Sequence, residues 1–294
     1  MFIRFMVVFW VIFTFSAAQA QKTVTVSTTQ IYDITRNIAG DDVRVLCILA
    51  PGQDPHTYTP VPADMDRVRK SDLLIENGFH LEGKNWMRSL AVDSRKPLIT
   101  ATDGIKPLIL ETGGEKINDP HSWFTPANAA VYVNNITRGL IGIAPEHKDN
   151  FVMRAKLYLS ELRALDSWIR REVAAIPPQK RILVTNHDAF GYFAKEYGFV
   201  NTAPVGWSTG GEVGGGVTPQ RREAAVSSIR QHNVKTIFVE STINPKLIRE
   251  IARDAGVTVG GTLYSDSMGD AGTAGETYIG MMRENVIRIV RGLR

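Results

Sequence analysis

The sequence predicts an α/β protein of two lobes, each with a mainly parallel sheet flanked by helices. Three observations lead there. Short β-branched runs alternate with helical patterns through both halves of the chain, the form that parallel sheets with crossover helices take. One long stretch between those halves carries a single apolar stripe. Residues able to bind a ligand recur just after strands, where open α/β sheets place their ligands. The 294 residues, 44% hydrophobic and 22% charged, suffice for two compact domains or one large one and show no bias toward disorder or a fibrous repeat.

The chain opens with a separate element over residues 1–20: Arg4, a nearly wholly apolar run over 5–15, and the small-x-small ending Ala18-Gln19-Ala20. This is the pattern of a cleavable secretory signal, and its apolar run is about half the ~20 residues that a membrane-spanning helix needs. The only cysteine, Cys47, sits in the apolar run 43–49 and is expected to be a small buried hydrophobe. A single cysteine excludes an intramolecular disulfide and argues against a thiolate metal site. No cysteine stands near the end of the signal, so the expectation is a soluble periplasmic protein without a lipid anchor. The formal charge is +4, or +3 without residues 1–20. Its Lys and Arg residues are scattered, which excludes a nucleic-acid face or a basic membrane-binding helix.

Candidate strands of the first lobe are 23–27, 43–49, 73–76 and 97–100; those of the second are 181–185, 234–239 and 257–263. Between them, Pro145 opens and Pro177-Pro178 closes a stretch with no Gly or Pro inside residues 146–175. Phe151, Ala155, Tyr158, Leu162, Leu165, Ile169 and Val173 recur at steps of three and four, so they form one stripe on one helix. At 1.5 Å per residue that helix would run roughly 45 Å. It can span two domains or serve as the core helix of one. The segment 206–216 holds six glycines and reads as a flexible loop or lid, since it lacks the sequence context of a phosphate-binding loop.

Six histidines are present. The triplet Asp-Pro-His occurs twice, as Asp54-Pro55-His56 after the second strand and as Asp119-Pro120-His121 before a helical stretch. Each proline fixes a torsion and presents the imidazole from a stiff turn. Asp54 and Asp119 could accept a hydrogen bond from the turn or from the ring, orienting its other nitrogen toward a metal. His187 follows the strand 181–185, Asp266 follows 257–263, and Glu240 adds a carboxylate at the same rim. Three neutral imidazoles and one carboxylate suit a borderline divalent cation such as Zn2+, with Mn2+ and Fe2+ compatible. Ca2+ and Mg2+ prefer oxygen ligands throughout. His80, His147 and His232 receive no role.

Taken together, AGDDVRV, PGQDPHTYTP, NGFHLE, DPHSWFTPANA, the proline-bounded helix, HDAFGYFAKEYGF, FVEST and LYSDSMGDAG resemble, in order and over nearly the whole chain, the TroA-like metal-binding solute-binding proteins of ABC transporters. The resemblance implies two lobes joined by one rigid helix, with one ion held by two residues from each lobe: His56 and His121, His187 and Asp266. It implies a place for Glu240 beside the site, supporting a ligand. Zinc-dedicated members carry a long His-rich loop before the second histidine motif, whereas residues 104–119 hold no histidine. Manganese-dedicated members often have glutamate where His187 stands. The resemblance is therefore to members that accept zinc or manganese.

The expected organisation is a signal peptide over 1–20, a first lobe over 21–143, a connecting helix over 144–176 and a second lobe over 177–294. The expected function is capture of a divalent metal in the periplasm by a monomer, and its delivery to a membrane permease served by a cytoplasmic ATPase. No catalytic residue is expected. A secreted zinc metallohydrolase would need an open coordination position, and the chain has no HExxH, Ser/His/Asp signature or Gly-x-Ser-x-Gly elbow. A metal-stabilised adhesin would unfold when stripped of metal.

Overall fold

The computed structural model describes residues 20–112, 115–203 and 219–294. Residues 1–19 of the expected signal and the glycine-rich segment 206–216 lie outside the described residues.

The first half is a four-stranded parallel sheet in the order β2-β1-β3-β4, formed by β1 (Lys22–Val26), β2 (Val43–Cys47), β3 (Leu73–Glu76) and β4 (Leu98–Thr100). Val24 pairs with Val45 on one side and Leu73 on the other. The inner strand β3 is buried at every residue and reads Leu-Leu-Ile-Glu, whereas the outer strands β2 and β4 are mostly half-buried. A strand covered on both faces favours apolar residues, which Leu73, Leu74 and Ile75 supply, while the buried Glu76 at its end is paired with Arg88. Cys47 ends β2 and is half-buried rather than buried, because β2 lies at the sheet edge.

Helix α1 (Thr29–Ala39) follows β1 and buries Ile31, Ile34 and Ile38 at helical spacing. Helices α2 (Pro62–Arg69) and α3 (Trp86–Ser94) precede β3 and β4. The stretch 104–119 contains an antiparallel hairpin of β5 (Ile109–Thr112) and β6 (Glu115–Asn118). Helix α4 (Pro126–Ile143) starts on Pro126, with the Thr125 hydroxyl accepting the Asn128 N–H at 3.2 Å.

The long helix begins with a 3-10 turn over Pro145–His147 and continues as α5 (Lys148–Val173). Its buried residues are the seven of the stripe. They face α1 and α4 on one side and α9 (Tyr278–Leu293) on the other, so one hydrophobic cluster extends from Val24 and Ile31 through α5 to Met281 and Val286. The helix thus joins both lobes by sharing a core with each.

The second half contains β7 (Ile182–Val184), α6 (Gly191–Tyr197), β8 (Val200–Thr202), α7 (Pro219–Gln231), β9 (Thr236–Glu240), α8 (Lys246–Ala255) and β10 (Thr258–Leu263). Among the described residues its pairings are parallel and form two separate two-stranded ladders, β7-β8 and β9-β10, with β7 lying alongside β9. Among the described residues, no helix is long and apolar enough to cross a membrane.

Candidate metal centre

His56, His121, His187 and Asp266 each offer one donor atom to a common point, the four atoms lying within 4.8 Å of one another. His56 stands in the turn after β2, His121 just before the 3-10 turn Ser122–Phe124 that leads into α4, His187 between β7 and α6, and Asp266 after β10. Residues 210 positions apart in sequence meet because the ends of strands from both lobes face one another. All four are buried, His56 the least at 6% exposure.

The spacing is informative. Tetrahedral ligands at about 2.1 Å from an ion lie roughly 3.4 Å apart. His56 Nε2 is 3.2 Å from His121 Nε2 and 3.8 Å from Asp266 Oδ2. His121 Nε2 is 3.4 Å from Asp266 Oδ1, and His187 Nε2 is 3.1 Å from Asp266 Oδ2. Neither oxygen of Asp266 has a hydrogen-bond partner among the described residues. A buried carboxylate left so is costly unless a cation or proton faces it, so the donor set fits a metal ion.

The remaining atoms of the imidazoles are held from behind. Asp119 Oδ1 accepts the His121 backbone N–H at 2.9 Å and lies 2.8 Å from His121 Nδ1. Glu240, the last residue of β9, accepts the His187 N–H at 2.8 Å through Oε1, and its Oε2 lies 2.6 Å from His187 Nδ1. Asp119 thereby turns His121 Nε2 inward, the usual support of a metal-ligating histidine, and Glu240 anchors the His187 backbone and sets a carboxylate oxygen behind its ring. Asp54 Oδ1 accepts the His56 backbone N–H at 2.8 Å, closing the first Asp-Pro-His turn.

Electrostatics divide the histidines. Burial, aided by the two neighbouring imidazoles, lowers His56 to about 3 against the pull of Asp266. For His121 burial also opposes the charge, but Asp119 and Asp266 together outweigh it and raise the ring to about 9. His187 is raised well above 6.5, with Glu240 and Asp266 overcoming burial. Asp266 is held well below 3.8, since the facing imidazoles overcome its own burial.

Sequence reasoning passed over several residues that shape this centre. A side chain at Gly83 would lie 2.0 Å from the His56 carbonyl oxygen, and one at Gly191 would lie 2.6 Å from Asp119 Oδ2. Trp123 sets its ring edge-on to His121 at 5.4 Å between centroids. Tyr192 of α6 donates to the Asp119 carbonyl at 2.9 Å, tying the second lobe to the turn that carries His121. Trp123 falls inside the motif DPHSWFTPANA, and Gly191 and Tyr192 inside HDAFGYFAKEYGF, but nothing local in the sequence marks what they touch, and Gly83 lies in none of the motifs. Of the histidines given no role, His80 adopts a positive φ of 63° on the surface, and His147 lies 3.4 Å from Asp42, both apart from the cluster.

Two lobes on one helix, with converging donors between them, have the build of a solute-binding protein. A family model described as zinc-uptake complex component A, periplasmic, matches residues 24–292. The chain belongs to that family. The manganese-binding lipoprotein MntA of Bacillus subtilis is 36% identical over 284 residues, covering 95% of this chain and 92% of its own length. The iron-binding protein YfeA of Yersinia pestis is 34% identical over 276 residues, covering 93% and 87%. Among solved structures, the periplasmic zinc-binding protein TroA of Treponema pallidum superposes with a TM-score of 0.86 at 32% identity, covering 93% of this chain and 99% of its own.

Proposed function

We propose that this protein captures one divalent transition-metal ion in the periplasm and hands it to the permease of an ABC transporter, whose cytoplasmic ATPase drives import. The ligands in this reading are His56 and His121 from a first lobe over 21–143 and His187 and Asp266 from a second over 177–294, with residues 144–176 connecting them. The observation that carries it is the convergence of three imidazole nitrogens and one carboxylate at ligand spacing. Zn2+ and Mn2+ are the proposed cargoes, with Fe2+ compatible: the shell is of the nitrogen-rich type that zinc favours, while relatives are described as binding manganese or iron. Glu240 and Asp119 act as supports of His187 and His121. The protein works as a monomer at the outer side of the cytoplasmic membrane. Some relatives are described as lipoproteins; here the sole cysteine is Cys47 on β2. Family membership favours a binding component over a metallohydrolase or an adhesin.

Elemental analysis of protein from its native compartment, with competition between Zn2+ and Mn2+ for the stripped protein, tests the reading. One equivalent of a transition metal is expected, with Asp266→Ala or His187→Ala weakening it strongly. Preference for Ca2+, or unaltered binding by those variants, would overturn it.

A further inference from the structure

The four proposed ligands are not positioned alike. His121 is held by Asp119 from its own half of the chain, at its ring and its backbone N–H, and His187 by Glu240 from its own half, at its backbone N–H with the second carboxylate oxygen 2.6 Å from Nδ1. The Asp266 side chain has no such support: its two oxygens face the imidazoles and accept no hydrogen bond among the described residues. Its place is set through its backbone, and that backbone is gripped from the opposite lobe.

The grip is a chain of three hydrogen bonds at the start of α1. The Met268 N–H donates to Thr29 Oγ1 at 2.9 Å, the Thr29 hydroxyl donates to Gln30 Oε1 at 3.2 Å, and Gln30 Nε2 donates to the Ser265 carbonyl at 3.0 Å. The links fix one another's direction. Reversing the Gln30 amide would set its oxygen against the Ser265 carbonyl and its NH2 against the Thr29 hydroxyl, whose proton would then have no acceptor on Gln30. Thr29 and Gln30 are 5% and 1% exposed, so water does not compete for these bonds. The two gripped residues, Ser265 and Met268, bracket Asp266. Between them, Ser267 Oγ accepts the Gly52 N–H at 2.8 Å and donates to the Met268 carbonyl at 3.0 Å. The turn that carries Asp266 is therefore clasped to the first lobe at three residues around the ligand, Ser265, Ser267 and Met268.

We infer that Thr29 and Gln30 are positioning residues that place Asp266 in the metal centre when the lobes meet. The inference rests on the metal-capture reading above and adds an order of events: parting of the clasp frees the Asp266 turn, so loss of this ligand begins release of the ion. Because the hydrogen bonds of the clasp go to the Asp266 turn and not to the imidazoles, it governs how long the metal stays rather than how fast it arrives.

The test uses the full protein loaded with Zn2+ alone or Mn2+ alone, with dissociation followed after addition of excess chelator. Gln30→Met keeps the length of the side chain and removes both hydrogen-bonding groups; Thr29→Val keeps its shape and removes the hydroxyl. Each is expected to speed dissociation about 10-fold, the low end for loss of a ligand's support, with the association rate unchanged, and Thr29→Ser is expected to bring the rate back toward that of the parent. A general structural role is separated by repeating both substitutions in the Asp266→Ala background, where they should add nothing further. Parental dissociation rates in both variants would overturn the inference, as would an equal acceleration with Asp266 already removed. Should Gln30→Met fail to fold by circular dichroism, Thr29→Val and Thr29→Ser carry the same comparison. If Asp266→Ala alone leaves metal binding intact, the ligand assignment itself fails and the clasp falls with it; if Asp266→Ala weakens binding and the clasp variants do not, only the clasp fails.

Discussion

His121 shows how one residue's surroundings set the behaviour of the centre. Its ring is raised from 6.5 to about 9, because Asp119 and Asp266 overcome the effect of burial. For the metal-free protein the sign follows directly: the stabilisation from this proton is fully present below 6.5 and is lost as pH rises through about 9. A metal ion needs the neutral ring and must displace that proton. Metal affinity is therefore expected to go on climbing from the neutral range to at least about pH 9, rather than level off near the ordinary imidazole value. Calorimetry at neutral pH in buffers of different ionisation enthalpy should register proton release on metal binding. Binding with no proton exchanged would contradict the raised ring. The candidate ligands were legible in the sequence because two Asp-Pro-His triplets and two strand-end residues are local patterns. Gly83 and Gly191 were not, since what they accommodate comes from residues 27 and 72 positions away in the chain.

At the scale of elements, the long helix was the most legible feature and the second half the least. Seven apolar positions in α5 recur at helical spacing, and those seven are its buried residues. Burial of one face is what stabilises a helix in a protein, so the pattern and the packing carry the same information. The β5-β6 hairpin is not legible in the sequence because Glu111, Glu115, Lys116 and Asn118 are poor strand formers, leaving Gly113-Gly114 as its one local signal. Strand β8 has only three residues, and the division of the second sheet into two ladders depends on pairing, which composition does not encode. Leu162 lies near the middle of the α5 stripe and is 1% exposed. Leu162→Ala should cost about 2 to 5 kcal/mol. Urea unfolding of the metal-free protein, with an unchanged slope, would register the loss. A shift of only a few tenths of a kcal/mol would show that α5 is not the shared core.

At the scale of the whole molecule, the core reaches the candidate metal centre at Trp123 and Phe190 but is built of apolar side chains throughout. The main hydrophobic cluster passes from Val24 and Ile31 through α5 to Met281 and Val286, and needs no ion to hold it. At the centre, by contrast, the Asp266 oxygens have no hydrogen-bond partner among the described residues, and Asp266 is clasped from the opposite lobe. Removing the metal should therefore leave the fold in place and loosen the contacts between lobes. Chelator-stripped protein is expected to keep its far-ultraviolet circular dichroism and to unfold cooperatively at a lower temperature. Adding back Zn2+ or Mn2+ should raise that temperature in proportion to the logarithm of free metal, the stabilisation reaching about 2.7 kcal/mol at one hundred times the dissociation constant. This dependence follows if the ion binds only the folded state. Loss of helical signal on stripping would instead make the ion a structural element. Retention of fold together with a metal-dependent midpoint is what reversible capture requires, since a protein that unfolded on giving up its cargo could not return for another ion.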